Sequence, residues 1–586
     1  MIQKISLTMI VRNEAENLAE CLNSIQEEVD EIIIVDTGST DQTEQIASNF
    51  TNKIYHFPWN EDFSAARNFG ISLCSGQWIL CLDADEKLDC GQGSLRQLIS
   101  NHQGIEVFGL PLLTRSDTEY ERFTVIRLFR NTAEYCFVGN IHEQVMISNM
   151  NVVGIGEAPV IWHKSISRKQ RNKKRNRNLQ LLTQQLKNNQ DNHYLQYYMG
   201  VEWLGLGRYE KALPYFREAI DKLSSHQLMF RGPAIRYLVD CLKFLGHLDD
   251  ALQVSQNECK LYPNYTDIFF DAGTILEEKG EFKNAIDYFN KAIQLGDPPL
   301  CYYHSKGTES FLSFYHLGFC CEKIGLYEVA DQYYWRALEA NPNYVCPLYS
   351  LVLLKVSNFK PSVVFDYFRQ KNSFIHDKWV VTLATLFLKV GLPMLAAQCY
   401  EQSVTASGDQ SSNLIKSLLY SGCTERGLAI INSMERSELS MDLLYEEIIA
   451  YLLSADYCKA KQRALELWRN SPQQRSQAWA LLSLIARMCS CPGYTKPEKA
   501  REPEVIQTYL SILENCLRYI PKRPGDIRQE VTAQKLAKKI IDILIALSAE
   551  SNMCLIHYMR SKAESTRFIL DYKYRPARGC VYEQKV

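Results

Sequence analysis

The sequence predicts an α/β domain with a parallel sheet, followed by an all-α solenoid of paired helices. Two observations carry this prediction. Apolar strand-like runs alternate with amphipathic helical segments near the amino terminus, and small and aromatic residues recur at fixed spacing further on. A basic segment separates the two patterns. We therefore expect four parts, with bounds 1–165, 166–192, 193–475 and 476–586.

The α/β domain begins with an apolar strand at residues 5–11. A helix follows and carries Leu18, Leu22 and Ile25 on one face, and a second apolar strand covers 31–35. Such β-α-β units form parallel, Rossmann-like sheets, in which the strands deliver functional groups at their carboxyl ends.

Acidic residues follow two of the predicted strands. Asp36 comes directly after the second strand, and Gly38 allows the tight turn behind it. The buried run 78–82 (WILCL) ends in Asp83 and Asp85. Two carboxylates separated by one residue can face a divalent cation that bridges the phosphates of a nucleotide, although the same motif also occurs as a plain polar strand cap.

Four ordered segments make a family resemblance specific. They are 9–14 (MIVRNE), 34–41 (IVDTGSTD), 63–68 (FSAARN) and 78–86 (WILCLDADE). In this order and spacing the chain resembles the family 2 glycosyltransferases of the GT-A fold, over about its first 165 residues. The resemblance implies a nucleotide-sugar donor, a divalent cation and inversion at the anomeric carbon.

The resemblance also implies roles for single residues. Asp36 would contact the base or ribose of the donor, Asp83 the ribose side, and Asp85 the metal that holds the diphosphate. Arg67 and Asn68 match a family position near the nucleotide, where a guanidinium binds phosphate bidentately. The alternative for Arg67 is an ion pair with a carboxylate at the rim of the sheet.

Two further motifs resemble a subset of this family. Residues 127–130 (RLFR) supply Arg127 and Arg130 to the donor side, and residues 139–143 (GNIHE) follow. The subset includes transferases for lipopolysaccharide cores and sublancin-type peptide S-glycosyltransferases. Glu143 is the expected base, while His142 orients it, contacts phosphate or is structural. The other carboxylates of this region that could serve as base are Asp117, Glu119 and Glu121.

A histidine follows the last strand-like segment, at 161–163 (IWH). In the resembling proteins a histidine here often completes the metal site, but Lys164 and Ser165 depart from their pattern. Imidazole suits Mn²⁺ better than Mg²⁺, which prefers oxygen ligands. His163 in the metal shell would therefore favour manganese.

Residues 164–178 contain eight basic side chains and no acidic one. Lys174, Arg177 and Asn178 resemble the helix that leaves the transferase domain in the subset. We expect a connecting helix whose charge attracts an anionic donor or an acidic membrane surface.

The helical part repeats one pattern of glycine, alanine and aromatic residues, which is the spacing of tetratricopeptide units. The clearest copies contain Gly200, Gly207, Tyr209, Ala212, Phe216 and Ala219; Gly246, Leu248 and Ala251; Gly273, Gly280, Phe282, Ala285, Phe289 and Ala292; and Gly318, Gly325, Tyr327, Ala330, Tyr334 and Ala337. The small residues let paired helices approach closely. Weaker copies extend to Pro472, and residues 296–307 form an insertion between two units. The repeats are predicted to be structural first, with a concave side that can hold an acceptor.

Composition excludes several classes of function. The net charge of −2 gives no global attraction to nucleic acid, and no apolar stretch reaches the length of a membrane helix. The 19 cysteines are scattered without zinc-site spacing, which predicts reduced thiols. We expect a cytoplasmic protein with peripheral membrane contact at most. The sequence is compatible with either a monomer or a homo-oligomer.

The predicted function is a metal-dependent, inverting glycosyltransferase with a UDP-sugar donor. Its acceptor is either a polypeptide or a cell-surface glycan. One alternative is a non-catalytic scaffold with an inactive transferase domain, which the intact acids oppose. Another is a sugar-nucleotide nucleotidyltransferase, but residues 11–16 lack the glycine-rich basic loop that those enzymes carry after the first strand.

Overall fold

A computed structural model gives the fold of the chain. It describes residues 3–115, 119–164, 167–189, 192–371, 377–402, 408–434, 440–489, 502–519 and 527–548. Asp117, Ser165 and the last part of the predicted segment 476–586 lie outside these residues. Two compact units are present, Met1–Ala340 and Asn341–Arg575. The predicted four-part division is not the same partition and stays a prediction.

The first unit contains a ten-stranded mixed sheet. Its strands are β1 (Ile5–Val11), β2 (Glu31–Asp36), β3 (Ile54–His56), β4 (Trp78–Cys81), β5 (Glu86–Asp89), β6 (Val107–Arg115), β7 (Tyr120–Arg130), β10 (Val153–Ile155), β11 (Val160–His163) and β12 (His304–Ser305). Two short strands, β8 (Phe137–Val138) and β9 (Gln144–Val145), form a separate hairpin.

The strand order β3-β2-β1-β4-β7-β6-β11-β5 divides the sheet into two halves. The half made of β3, β2, β1 and β4 is parallel, as the sequence predicts, because helices α1 (Leu18–Ile25), α2 (Thr43–Ala47) and α3 (Phe63–Ser72) connect its strands. The other half is mixed. There β7 runs antiparallel to both β4 and β6.

The pairing of β11 with β5 matters most for function. These strands are antiparallel, and His163 is in register with Glu86. The backbone N–H of Lys164 also donates to the carbonyl of Asp85 at 2.9 Å. Two segments that lie 80 residues apart in the chain are thereby held side by side at the end of β4.

Helix pairs complete the first unit after the helix α4 (Leu95–Asn101) that lies within the sheet domain. They are α5 (Arg168–Asn188), α6 (His193–Gly205), α7 (Tyr209–Lys222), α8 (Leu228–Phe244), α9 (Leu248–Leu261), α10 (Thr266–Glu278), α11 (Phe282–Leu295), α12 (Phe311–Lys323) and α13 (Tyr327–Ala340). The paired helices approach closely at glycine: a Cβ on Gly200 would lie 2.6 Å from the Phe216 ring, and one on Gly273 would lie 2.7 Å from Phe289. This packing is what the repeated glycine and aromatic positions predict.

The insertion between α11 and α12 docks onto the sheet. It contributes β12, which pairs antiparallel with β7. Arg122 Nη2 donates to the Pro298 carbonyl at 2.8 Å, and Phe123 stacks on Tyr303 with ring centroids 4.6 Å apart. The sheet and the first repeats therefore share a backbone ladder and form one compact unit.

The second unit is all-helical. Its helices are α14 (Cys346–Asn358), α15 (Pro361–Gln370), α16 (Asp377–Lys389), α17 (Pro393–Gln402), α18 (Gly408–Tyr420), α19 (Thr424–Ser433), α20 (Met441–Leu453), α21 (Tyr457–Asn470), α22 (Arg475–Met488), α23 (Pro503–Tyr519) and α24 (Ile527–Ser548). Among the helices described, none has both the length and the apolar character that crossing a membrane requires.

Candidate active site

A cavity of about 900 Å³ opens at the carboxyl ends of β1 and β4. The sheet side of its wall carries charged residues, including Arg12, Glu14 and Asp85. On the helical side, α6 and α8 contribute an aromatic face that includes Tyr198 and Phe230, whereas α5 adds Lys174 and Arg177 to the charged residues. The cavity thus has a charged face and an aromatic face, and only the charged one was predicted from the sequence.

Asp83 lies in a cluster of ion pairs at the end of β4. Its Oδ1 accepts from Arg67 Nη2 at 2.6 Å, and its Oδ2 accepts from Arg127 Nη2 at 2.8 Å. Arg127 also bonds Glu86 Oε1 at 2.5 Å, while Arg67 Nε donates to Glu143 Oε1 at 2.5 Å. Three acids and two arginines therefore satisfy one another, as buried charges must.

The electrostatics of this cluster keep Asp83 ionised. Burial by itself would raise the pKa of Asp83, but Arg127 and Arg67 outweigh it and hold that pKa well below its usual range. Glu86 is more deeply buried, and burial raises its pKa despite Arg127. The pKa values of both arginines are raised by their carboxylate partners, so both side chains stay cationic.

Asp85 has a different environment, although it is only two residues away. Its Oδ2 lies 3.6 Å from His163 Nε2 and 3.8 Å from Lys174 Nζ. Burial opposes ionisation, but the contact with His163 and the charge of Lys174 together outweigh it and lower the pKa of Asp85. The contact with Asp85 raises the pKa of His163 despite burial. No arginine pairs with this carboxylate in the described part of the chain.

The Asp85 environment fits a divalent cation. A carboxylate oxygen and an imidazole nitrogen 3.6 Å apart are close to the separation of two neighbouring ligands on one transition-metal ion. Both residues line the cavity, so water and donor phosphate oxygens can supply the other ligands. The Lys174 ammonium would have to move away from Asp85 when a metal ion binds there.

Two of the predicted donor-site residues, Asp36 and Asn68, have other partners. Asp36 Oδ1 accepts from the N–H groups of Gly38 and Ser39, so it shapes the turn after β2. The Asn68 amide makes two 2.8 Å hydrogen bonds to the backbone of Phe137. These contacts explain local structure, and a donor role for the two side chains stays a prediction.

Arg130 lies at the far end of β7. It is in register with Trp78, the first residue of β4, and its guanidinium lies 4.4 Å from the centre of that indole ring. Asp83 follows the opposite end of β4. Arg127 therefore faces the cavity, while Arg130 contributes a cation–π contact away from it.

The segment containing His142 and Glu143 returns to the cavity between β8 and β9. Glu143 bonds Arg67, and its side chain is 11% exposed. His142 has a positive φ of 51°, and its Nε2 lies 3.2 Å from Glu202 Oε1. Its ring also stacks on Tyr198, with centroids 3.9 Å apart. Both partners of His142 belong to α6, the first helix of the repeats.

Sequence reasoning missed these α6 residues. Glu202 and Tyr198 lie in a helix whose pattern predicted only repeat packing, and no local signal marks them. Glu86 ends the motif at residues 78–86, and the sequence indicates no role for it. Asn178 was assigned only to the connecting helix, and its Nδ2 donates to Glu202 Oε1 at 2.6 Å.

A second group of metal-binding residue types occurs in the insertion. Ligand atoms of Asp297, His304 and Glu309 all lie within 4.8 Å of one another. Lys306 Nζ lies 3.1 Å from Asp297 and 2.8 Å from Glu309, so an ammonium group already bridges these carboxylates. The internal cation makes this group a salt-bridge network, in which His304 and Glu309 are buried and Asp297 is exposed.

Comparison with known families agrees with the geometry of the site. The family model described as Glycosyl transferase family 2 matches residues 6–103, and the tetratricopeptide repeat model matches residues 266–295 and 312–344. The chain carries a family 2 glycosyltransferase domain and tetratricopeptide repeats. The match to the glycosyltransferase family ends before β7, so Arg127, Glu143 and His163 lie beyond it.

Three relatives share parts of this arrangement. A TPR repeat-containing protein of Synechococcus elongatus is 42% identical over 144 residues, which are 24% of this chain and 35% of the relative. The SPbeta prophage-derived glycosyltransferase SunS of Bacillus subtilis is 27% identical over 313 residues, or 50% of this chain and 67% of SunS. An uncharacterized glycosyltransferase of Rickettsia felis is 42% identical over 87 residues, 15% of this chain and 30% of its own length.

Proposed function

We propose that the protein is a metal-dependent, inverting glycosyltransferase that uses a nucleotide-sugar donor. The observation that carries the proposal is the juxtaposition of Asp85 and His163 at the rim of a cavity with one charged and one aromatic face. Glycosyltransferase relatives and the family match over 6–103 support the reaction class.

The charged face is the donor side. Asp85 and His163 would hold the divalent cation, which would neutralise the diphosphate as the bond to the sugar breaks. Asp83 keeps Arg67 and Arg127 in fixed positions, because each of its oxygens accepts from one of them. Asp83 would contact the ribose through the lone pairs that these bonds leave free. Arg67 Nη1 is buried and has no partner within the described chain, which leaves one donor available for a ligand.

The aromatic face is the acceptor side. Tyr198, Phe230 and Met229 offer apolar contact area opposite the charged residues. A uridine nucleotide is the donor that the family resemblance favours, and the acceptor is a polypeptide or a surface glycan. Either His142 or Glu143 removes the acceptor's proton, since both line the cavity.

Calorimetric titration with UDP tests the donor side. We expect UDP to bind the wild-type protein more tightly with Mn²⁺ than without it, and Asp85→Asn to lose the difference. Equal UDP affinity with and without Mn²⁺ would reject the assignment of Asp85 as a metal ligand. Failure to bind UDP under any condition would favour the non-catalytic scaffold instead.

A further inference from the structure

The two neighbours His142 and Glu143 have partners of opposite charge. Glu143 pairs with the Arg67 guanidinium, and His142 contacts the Glu202 carboxylate. Arg67 Nε donates to Glu143 Oε1 at 2.5 Å, so this carboxylate is already engaged as an acceptor inside the ion-pair cluster. His142 uses only Nε2 towards Glu202, at 3.2 Å. The hydrogen-bond partners therefore distinguish two residues that the sequence could not.

We infer that Glu202, from the first helical repeat, positions His142 as the proton acceptor of the transfer. The inference rests on the proposed glycosyltransferase function. A carboxylate can only accept a hydrogen bond, so the ring nitrogen that faces Glu202, Nε2, carries the hydrogen of the neutral imidazole. The lone pair is then on Nδ1, for which the described residues provide no hydrogen-bond partner.

Several contacts hold this pair in place. Glu202 is 4% exposed, and Asn178 Nδ2 and the Arg175 guanidinium, at 2.6 and 3.7 Å, compensate its buried charge. Tyr198 stacks face to face on the His142 ring. The Gln144 side chain ties the next part of the segment to the Tyr198 hydroxyl at 2.9 Å.

These contacts also account for the backbone of His142. A positive φ is costly for a residue with a side chain and persists only where the surroundings impose it. Here the stacking on Tyr198 and the bond to Glu202 supply that constraint. Among the charged neighbours of this pair, Glu202 on α6 contacts the ring, Glu143 follows His142 in its own segment, and Arg175 and Arg177 on α5 interact with Glu202.

The chemical step is then balanced within the site. The acceptor's oxygen or sulfur forms a bond to the anomeric carbon, and the bond from that carbon to the diphosphate oxygen breaks. The acceptor's proton passes to His142 Nδ1, and the electron pair leaves with the nucleoside diphosphate. Glu202 stabilises the imidazolium that forms, as a carboxylate does in other carboxylate–histidine pairs.

The test uses the full chain, with water as the acceptor. UDP release from UDP-glucose, UDP-N-acetylglucosamine and UDP-galactose is measured in the presence of Mn²⁺, together with UDP affinity. His142→Gln should lower UDP release by about 10²-fold or more, and Glu202→Gln by at least about 10-fold. Both variants should keep UDP affinity within about two-fold, because neither side chain is needed to bind the donor.

A matched control comes from another buried carboxylate of the repeats. Glu258 on α9 is 8% exposed and pairs with Arg231 at 2.8 Å, but it does not line the cavity. Glu258→Gln should release UDP at the wild-type rate. Wild-type turnover in His142→Gln, or equal losses in Glu202→Gln and Glu258→Gln, would overturn the inference.

A second measurement does not depend on turnover. Nitrogen-15 NMR of labelled histidines, with His142 assigned by its loss in His142→Gln, should report the Nε2–H tautomer in the wild type and a changed ring signal in Glu202→Gln. An Nδ1–H tautomer in the wild type would overturn the inference. Absence of both UDP binding and UDP release would reject the proposed function, while the tautomer still decides whether Glu202 orients His142.

Discussion

Two groups of acids and histidine in the first unit resemble metal sites to different degrees. In the insertion, Asp297, His304 and Glu309 bring three ligand types together, whereas Asp85 and His163 at the cavity offer only two. The group with fewer ligands is nevertheless the better candidate. It faces an open cavity, while the insertion group already contains the Lys306 ammonium. Lys174, by contrast, lies 3.8 Å from Asp85 on one side only, and half of its side chain is exposed. Proximity of ligand atoms therefore identifies a metal site only where no cation already bridges them.

The largest expected effect is at the cavity. Asp85→Asn should lower transfer or donor hydrolysis at least about 10³-fold, since it removes the proposed anionic metal ligand. Asp89→Asn is the matched control, because Asp89 ends the next strand, and its carboxylate accepts from the Gly91 N–H at 3.0 Å and from Trp162 Nε1 at 3.4 Å without lining the cavity. Equal rates for Asp85→Asn and the wild type would break the distinction between the two groups.

Substitutions at the insertion group, or at its buried partner Asp267 on α10, should change the stability of the fold instead. Asp267 is fully buried and bonds His304 Nδ1 at 2.9 Å and Arg236 at 3.0 Å. Asp267→Asn should lower the free energy of unfolding by about 3–5 kcal/mol, because it leaves buried cations without their partner. Urea unfolding followed by circular dichroism measures this loss. The exposed Asp249, paired with Lys279, serves as control, and Asp249→Asn should change stability by less than about 1 kcal/mol.

The insertion group also predicts a pH dependence. Burial opposes protonation of His304, but the carboxylates of Asp267, Asp297 and Glu309 together outweigh it and raise the pKa of His304 to about 9. The stabilisation is complete below the unfolded pKa of about 6.5 and is lost as pH rises through about 9, for a total of about 3 kcal/mol. Unfolding free energies at pH 6 and pH 10 should differ by that amount in the wild type. His304→Gln should flatten this part of the profile; an unchanged slope would contradict the buried imidazolium.

The smallest effect concerns the internal ammonium. Lys306→Met should free the Asp297 and Glu309 carboxylates and create a second, weak Mn²⁺ site in the insertion. Electron paramagnetic resonance titration should find one Mn²⁺ per wild-type chain and a weaker additional one in the variant. Two Mn²⁺ sites in the wild-type chain would show that the insertion group binds metal despite Lys306, and would contradict the distinction between the cavity and the insertion.

The order of strands and helices near the amino terminus could be predicted from sequence because each element has a local signal. The apolar run that ends at Leu82 and the turn at Gly38 determine which acids reach the carboxyl edge. The glycine at 200 likewise predicted the close packing of helices that the structure has. These are properties of residues near one another in the chain.

Contacts between distant segments had no such signal. Glu202 contacts His142, which lies 60 residues earlier in the chain, and its position in a repeat helix gives no reason to expect a buried carboxylate. The same limit applies to Arg67, for which the sequence left two possible partners, a donor phosphate and a carboxylate at the rim of the sheet. The structure gives it Asp83 and Glu143 as partners, and only the docking of separate elements brings these together.

The strand β12 ties one particular repeat to the catalytic sheet. Its pairing with β7 involves residues 304 and 305, and the neighbouring carbonyl groups of Pro298 and Leu300 accept from Arg122 and Thr124. Repeat arrays are often treated as interchangeable cassettes, lengthened or shortened without regard to what precedes them. In this chain the units before the insertion have a fixed number, because adding or deleting one would carry the insertion away from β7. Exchange of repeats for protein engineering is therefore restricted to the units that follow it.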